Sequence, residues 1–340
     1  MKRLSLCAAA TSIALVATSA GFAAEPIKIR ADWSVLPGQF AALIPTVPQY
    51  GPDVYRDYGK SYTVEPIKLT GGGATLTALA VGGTDVSTFS PQTLIDAVVN
   101  AKLDVRAIGE QISTEVPGYA QTYYWVDKEK IKTFDDLKGK VFAVNALGSN
   151  VDAAAKMVMA KHGMTPPRDY SVVEVAFPAQ LAALKAGKIN VAVLVPPFDQ
   201  GAQADPGLKP MFSVGDAFGP VETLMWVAKE DFIKAHREAL VDFLADNIRM
   251  RRWMLDPKTR MDAVKQLADA SKIPIDKLEG WAYTNKDYFY PPNAGIDVQR
   301  LQKNVNDMAQ VGVVPKAIDV TPYVDMSLVK DAEAKVAAGK

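Results

Sequence analysis

Cysteine is almost missing from this sequence: Cys7 is the only one in 340 residues, and it lies in an apolar N-terminal stretch. If that stretch is removed, disulfides, a thiolate nucleophile and cysteine-based metal sites are all excluded. Folding must then rest on a buried core. Histidine is scarce too, with only His162 and His236, far apart and in polar helical contexts. His162 precedes Gly163 at an expected helix end, where a structural role suffices. No HExxH, GxSxG or Cys–His pairing is present, which removes the commonest hydrolase signals. A surplus of either charge is also absent, since 38 Lys and Arg balance 38 Asp and Glu. A near-neutral chain gives no electrostatic footprint for nucleic acid.

The N-terminus carries Lys2 and Arg3, then apolar and small residues from Leu4 to Ala20, then Gly21-Phe22-Ala23 ahead of Glu25. That pattern reads as a secretory signal peptide, residues 1–23, cut after Ala23. Cys7 lies too early, behind Leu6, for a lipidation site. Beyond this stretch, no run reaches the roughly 18 apolar residues of a membrane span. The expectation is an exported chain of about 315 residues, long enough for two domains.

Past the leader, strand and helix signals alternate. Pro26 to Ser34 reads as a strand ending in the turn residues of LPGQF, and Tyr62 to Leu69 as a second, leading to Gly71-Gly72-Gly73. A short helix follows over Ala74 to Val81, a strand over Thr84 to Thr88, a helix over Gln92 to Ala101 and a strand near Val105 to Ile108. The grammar restarts with strands at Tyr119 to Val126, Val141 to Val144, Ser171 to Ala176 and Asn190 to Val195, separated by helices. Thr223 to Ala228 is again strand-like. Helices are expected over Lys229 to Leu255, Met261 to Ala270, Ile275 to Tyr283 and Ile296 to Val311. Such alternation implies parallel sheet with helices on its faces. The helical tail must bury its apolar faces on the first unit, so the chain crosses between units near Glu115 to Gln121 and near Ala217 to Thr223. Two crossings make a hinge.

One stretch, VNALGSNVDAAAK from Val144 to Lys156, hands a strand to a helix through a small polar turn. Free N–H groups at the helix start suit an anionic or carbonyl oxygen, although taken alone the stretch is first explained by Ser149 or Asn150 as a plain N-cap. The triple glycine lacks the lysine and the spacing of phosphate-binding loops. It is expected to open a helix that Thr75 caps. The basic run RMRRW, Arg249 to Trp253, reads as a solvated helix face.

LKGKVFAV followed by a Gly-Ser turn, AQLAALKAGKINVAVL, LTALAVGGTDVST and MAQVGVVPKAIDVTPYVD resemble, as an ordered set, the solute-binding proteins of ABC importers. The nearest branch is the NMT1/THI5-like one, which takes sulfonates, taurine, nitrate and pyrimidine precursors, and the resemblance runs from about Ile27 to Asp325. It implies an α/β, two-lobed type II periplasmic-binding-protein fold: two mixed sheets flanked by helices, with a ligand cleft between lobes. The lobes would be residues 24–116 with 223–340, and 117–222. It implies a periplasmic, monomeric protein that needs no cofactor or metal, binds a small-molecule ligand and meets ABC permease subunits at the membrane. Enzymatic relatives that use a histidine substrate and a cysteine-rich stretch have no counterpart here. A ligand-binding sensor subunit and an exported enzyme stand as the alternatives.

In open α/β sheets, ligands sit beyond the carboxyl ends of strands. That rule selects Trp33, Ser34, Gly38 and Gln39 after the first strand, and Phe89, Ser90 and Gln92 after the third. It also selects Asn145, Gly148, Ser149 and Asn150 in the turn above, and Phe198 and Asp199 after NVAVLV. Ser149 and nearby N–H groups would hold an anionic or strongly accepting group, Asn145 and Gln39 would orient it, and Trp33, Phe89 and Phe198 would cover an apolar body. Core packing is the competing role for all three aromatics.

Overall fold

The structure, a computed structural model, describes residues 25–34, 36, 38–39, 43–44 and 54–339. The leader expected at residues 1–23 lies outside the described residues. In chain order the elements are β1 (Ile27–Trp33), β2 (Tyr62–Lys68), α1 (Gly73–Ala80), β3 (Val86–Phe89), α2 (Pro91–Ile95), β4 (Val105–Thr114), β5 (Tyr123–Asp127), β6 (Val141–Val144), α3 (Asn150–Lys161) and β7 (Ser171–Glu174). Then come α4 (Phe177–Lys185), β8 (Val191–Leu194), α5 (Gln200–Gln203), β9 (Leu208–Ser213), α6 (Gly215–Phe218), β10 (Val221–Lys229), α7 (Glu230–Leu255), α8 (Arg260–Ser271), α9 (Val298–Gln310) and α10 (Met326–Ala337).

The strands form two five-stranded sheets, ordered β2-β1-β3-β10-β4 and β7-β6-β8-β5-β9. Both sheets are mixed, as the resemblance implies, and the strands that alternate with helices pair in parallel. β10 runs antiparallel to β3 and β4, and β5 antiparallel to β8 and β9. Each of these strands is reached by a crossing from the other lobe, not through a crossover helix, so nothing forces it parallel. β3 and β8 are buried along their whole length and read as unbroken apolar or small-residue runs, as strands covered on both faces do.

After β10, helices α7, α9 and α10 pack on the first sheet, and α8 packs on α7. α7 buries Leu240, Phe243, Leu244 and Ile248, and the Phe243 ring meets Trp226 and Tyr62 edge-on at 5.4 and 5.7 Å. The Asp246 carboxylate, also on α7, accepts the backbone N–H groups of Arg56, Asp57 and Tyr58 and the Tyr62 hydroxyl, each at 3.0 Å. The basic run on this helix is no solvated face. Arg249 is buried and paired with Asp57 and Asp246, and fully buried Arg251 donates to the carbonyls of Glu110, Gln111 and Pro291.

Three further differences have local causes. Over Ile275 to Tyr283 the structure has a single 3₁₀ turn, Ile275–Lys277, because Gly280 and a left-handed Tyr283 (φ +60°) interrupt any longer helix. The strand β9 and the helix α10 are additional elements. β9 sits at a sheet edge, where Pro210 is tolerated. α10 starts at Asp325, whose side chain accepts the Ser327 N–H, and it buries Leu328, Val329 and Ala332.

The lobes are joined where β4 leads to β5 and where α6 leads to β10. Buried Glu115 accepts N–H groups from Thr122 on one crossing at 2.9 Å and from Gly215 beside the other at 3.0 Å. Burial raises this carboxyl to about 7.

Candidate functional site

β1 and β2 lie parallel with Trp33 opposite Lys68, so their last residues arrive side by side at the cleft. The Lys68 ammonium sits 5.1 Å from the centre of the Trp33 ring, a cation–π pair. No carboxylate among the described residues forms an ion pair with Lys68. These two side chains form one wall of a cavity of about 400 Å³ between the lobes. The first lobe adds Ser34, Leu36, Leu69, Thr70 and the end of α8 at Ala270 and Ser271. The second lobe supplies Asn145 at the end of β6, Phe198, and Ala176, Phe177 and Pro178 where α4 begins. Ala176 is the N-cap of α4 and offers no side-chain acceptor, so no cap covers the positive end of that helix dipole. Among the described residues the lining is a mostly apolar one with one cation, three hydroxyls and one amide, and neither a carboxylate nor a histidine.

The family model for NMT1/THI5-like proteins matches residues 63–256, which include strands of both sheets and both crossings. The chain belongs to the NMT1/THI5-like family. A Bacillus subtilis (strain 168) relative named as a binding protein, YtlA, is 22% identical over 263 residues, covering 76% of this chain and 77% of that protein. Among solved structures, the alkanesulfonate-binding protein SsuA from Xanthomonas axonopodis pv. citri, bound to MOPS, superposes with a TM-score of 0.68 at 19% identity, covering 89% of this chain and all of that one. The periplasmic nitrate-binding protein NrtA from Synechocystis PCC 6803 gives 0.67 at 15% identity, with 93% and 91% covered. The desulfurization enzyme DSZB shares the fold at 0.59 and 13% identity, with 91% and 99% covered. The fold is thus the two-lobed periplasmic-binding-protein fold.

In this NMT1/THI5-like chain the residues selected from sequence separate into groups. Trp33, Ser34, Asn145 and Phe198 line the cavity together. Gln39 stands behind them, its buried side-chain oxygen accepting both the N–H of Ser34 and, at 2.9 Å, its hydroxyl. Gly38 packs inside the first lobe, where a Cβ would lie 3.1 Å from Ile112 and 3.6 Å from Tyr288. Phe89 is fully buried in the core.

Ser90 caps α2, accepting the Thr93 N–H at 3.2 Å, and Gln92 is buried beside it. Gly148 meets this helix, and neither it nor Ser149 nor Asn150 lines the cavity. Thr93 donates to the Gly148 carbonyl at 3.1 Å, and Ser149 caps α3 by accepting the Asp152 N–H at 3.3 Å. Asp199 lines a second interlobe cavity of about 500 Å³ with Gln121, Tyr123, Trp281 and Lys286. Its carboxyl accepts from Gln203 at 2.7 Å and is raised by burial.

Several lining residues were not selected from sequence: Lys68, Thr70, Phe177 and Ser271. Lys68 ends a strand as Trp33 does, so the strand-end rule applied to β2 finds it. Of the remaining motifs, Thr75 donates to the Gly72 carbonyl at 2.9 Å and gives α1 no side-chain cap. His162 stacks on Phe134 with ring centres 3.6 Å apart. The described residues contain no group of three His, Cys, Asp or Glu able to hold a metal, and no helix long and apolar enough to cross a membrane.

Proposed function

We propose that this protein is the extracytoplasmic substrate-binding component of an ABC importer, capturing a small organic monoanion by closure of its lobes. The observation that carries this reading is Lys68 on Trp33 in an otherwise apolar interlobe chamber. A cation with no carboxylate partner, backed by an aromatic face, suits an anionic group attached to an apolar or aromatic body. The open start of α4 adds a second favourable field for negative charge. Sulfonates, aromatic carboxylates and acidic heterocycles meet these demands, and a bare inorganic anion leaves the apolar walls unused. The ligand touches both lobes only when they are closed, so its binding energy shifts the population toward the closed form that a membrane permease would engage. On this reading the chain is a periplasmic monomer delivered by its N-terminal leader, with lobes 24–116 plus 223–340 and 117–222. A lining whose described residues include no carboxylate or histidine supports binding over catalysis.

The test is a thermal-shift screen of protein unfolded and refolded to strip solute, against alkyl and aryl sulfonates, aromatic carboxylates, pyrimidines, nitrate and neutral analogues. A ligand at about 100 times its dissociation constant adds roughly 2.7 kcal/mol of stability. A shift for organic monoanions and none for neutral isosteres is expected. Stabilisation by neutral compounds alone would overturn the charge assignment.

A further inference from the structure

The lobes touch at a seam beside the cavity. The N–H of Gly73 on α1 donates across the cleft to the Leu147 carbonyl at 3.3 Å, and Thr93 on α2 donates to the neighbouring Gly148 carbonyl at 3.1 Å. Asn145 of the second lobe donates to the Thr70 carbonyl of the first at 3.1 Å. Gly72 makes this approach possible. Its backbone, φ +52° and ψ −125°, is one that side chains rarely adopt, and a Cβ there would stand 2.3 Å from the Leu147 carbonyl oxygen and 3.1 Å from the Ser149 nitrogen. Both are main-chain atoms, so no flexible side chain can yield. Across the seam Gly148 also has positive φ, +73°. Leu147 is 47% exposed, so the contact rests on its carbonyl.

We propose that Gly72 and the Leu147–Gly148 peptide form a latch that sets how much of the ligand-free protein is closed, and through this the apparent affinity of the cavity. The affinity clause rests on the function proposed above; the closure clause does not. Gly72, Gly73, Thr93, Leu147 and Gly148 do not line the cavity, so the latch acts on the lobes without touching the ligand. Asn145 belongs to both and links them. Opposing the latch, the side-chain oxygens of Gln92 and Asn150 are buried with no hydrogen-bond partner among the described residues when the seam is shut. Opening returns them to water, so the seam is balanced and not welded. Apparent affinity scales with the closed fraction, so a tenfold drop in that fraction weakens binding tenfold.

The experiment compares the parent with Gly72→Ala and, separately, Thr93→Val. Spin labels are placed at Val81→Cys and Lys188→Cys in a Cys7→Ser background. Val81 and Lys188 lie just beyond the far ends of α1 and α4, helices that both start at the cleft, so lobe opening separates them. Ligand-free Gly72→Ala should show a longer interlobe distance with unchanged circular dichroism, and Thr93→Val a partial shift the same way. A distance distribution matching the parent in both folded variants overturns the latch. If Gly72→Ala does not fold, Thr93→Val alone decides. Because no ligand is needed, an inert screen would sink the binding reading and leave this result standing. Where the screen gives a ligand, Gly72→Ala should bind it about tenfold more weakly.

Discussion

Lys68 forms no ion pair with a carboxylate among the described residues, so removing it should cost the fold little and the ligand much. Lys68→Met is expected to lower affinity for monoanions about tenfold, close to the 1.4 kcal/mol of one charge-assisted contact, while neutral analogues bind as before. Calorimetry checks this, and equal losses for both ligand types would contradict it. Asp32 makes a different residue-scale prediction. It is fully buried on β1, where one oxygen accepts the Thr88 N–H at 3.0 Å, and burial raises the carboxyl to about 7. From about pH 4 to 7 the folded state therefore keeps a proton that the unfolded chain releases. Stability should be greatest at the acid end of that window, fall as pH rises through 7 and then level off. Glu115 and Asp287, also raised to about 7 by burial, add to the same slope. Asp32→Asn should flatten it by about 1–4 kcal/mol between pH 5 and 8 in urea titrations; an unchanged slope would show that Asp32 is ionised throughout. Trp33 and Asn145 were legible because a strand end is marked in sequence. Asp32 reads as an ordinary polar position of an alternating strand, since its burial depends on Thr88, 56 residues away.

At the scale of elements, α7 does more than cover a sheet. Through Asp246 it gathers the approach to β2, and through Arg251 it holds the backbone of β4 and the Pro291 turn. Asp246→Ala should destabilise the protein by about 2–4 kcal/mol, because three N–H groups and a hydroxyl lose a charged acceptor in a buried place. A loss below about 0.5 kcal/mol in denaturant unfolding would mean that water replaces the carboxylate at no cost. Helical periodicity finds α7 but misassigns its arginines, because the carbonyls that receive Arg251 come from positions 40 and 140 residues away. β9 is illegible for a related reason: LKPMFS carries a proline that excludes a central strand and permits an edge, and only the assembled sheet shows which it is.

For the molecule as a whole, strand and helix alternation makes the two α/β units and the two crossings readable. What sequence leaves open is which groups meet across the cleft. Gly148, Ser149 and Asn150 read as a ligand turn, yet the structure sets Gly148 against α2 and the Ser149 nitrogen beside Gly72. A helix start looks the same from sequence whether it faces a solute or a neighbouring lobe. Ligand addition should shrink the radius of gyration in solution scattering and leave secondary structure constant; no contraction would mean that binding does not close the cleft. The position of β10 has a consequence for how the chain is made. This strand fills the gap between β3 and β4, yet it comes after the whole second sheet, Tyr123 to Ser213. As the polypeptide emerges from its N-terminus, the later sheet can be complete while the earlier one still has bare hydrogen-bonding edges at its centre. The first lobe begun is the last one finished, and until Val221 to Lys229 arrives, those edges are open to pairing with another chain.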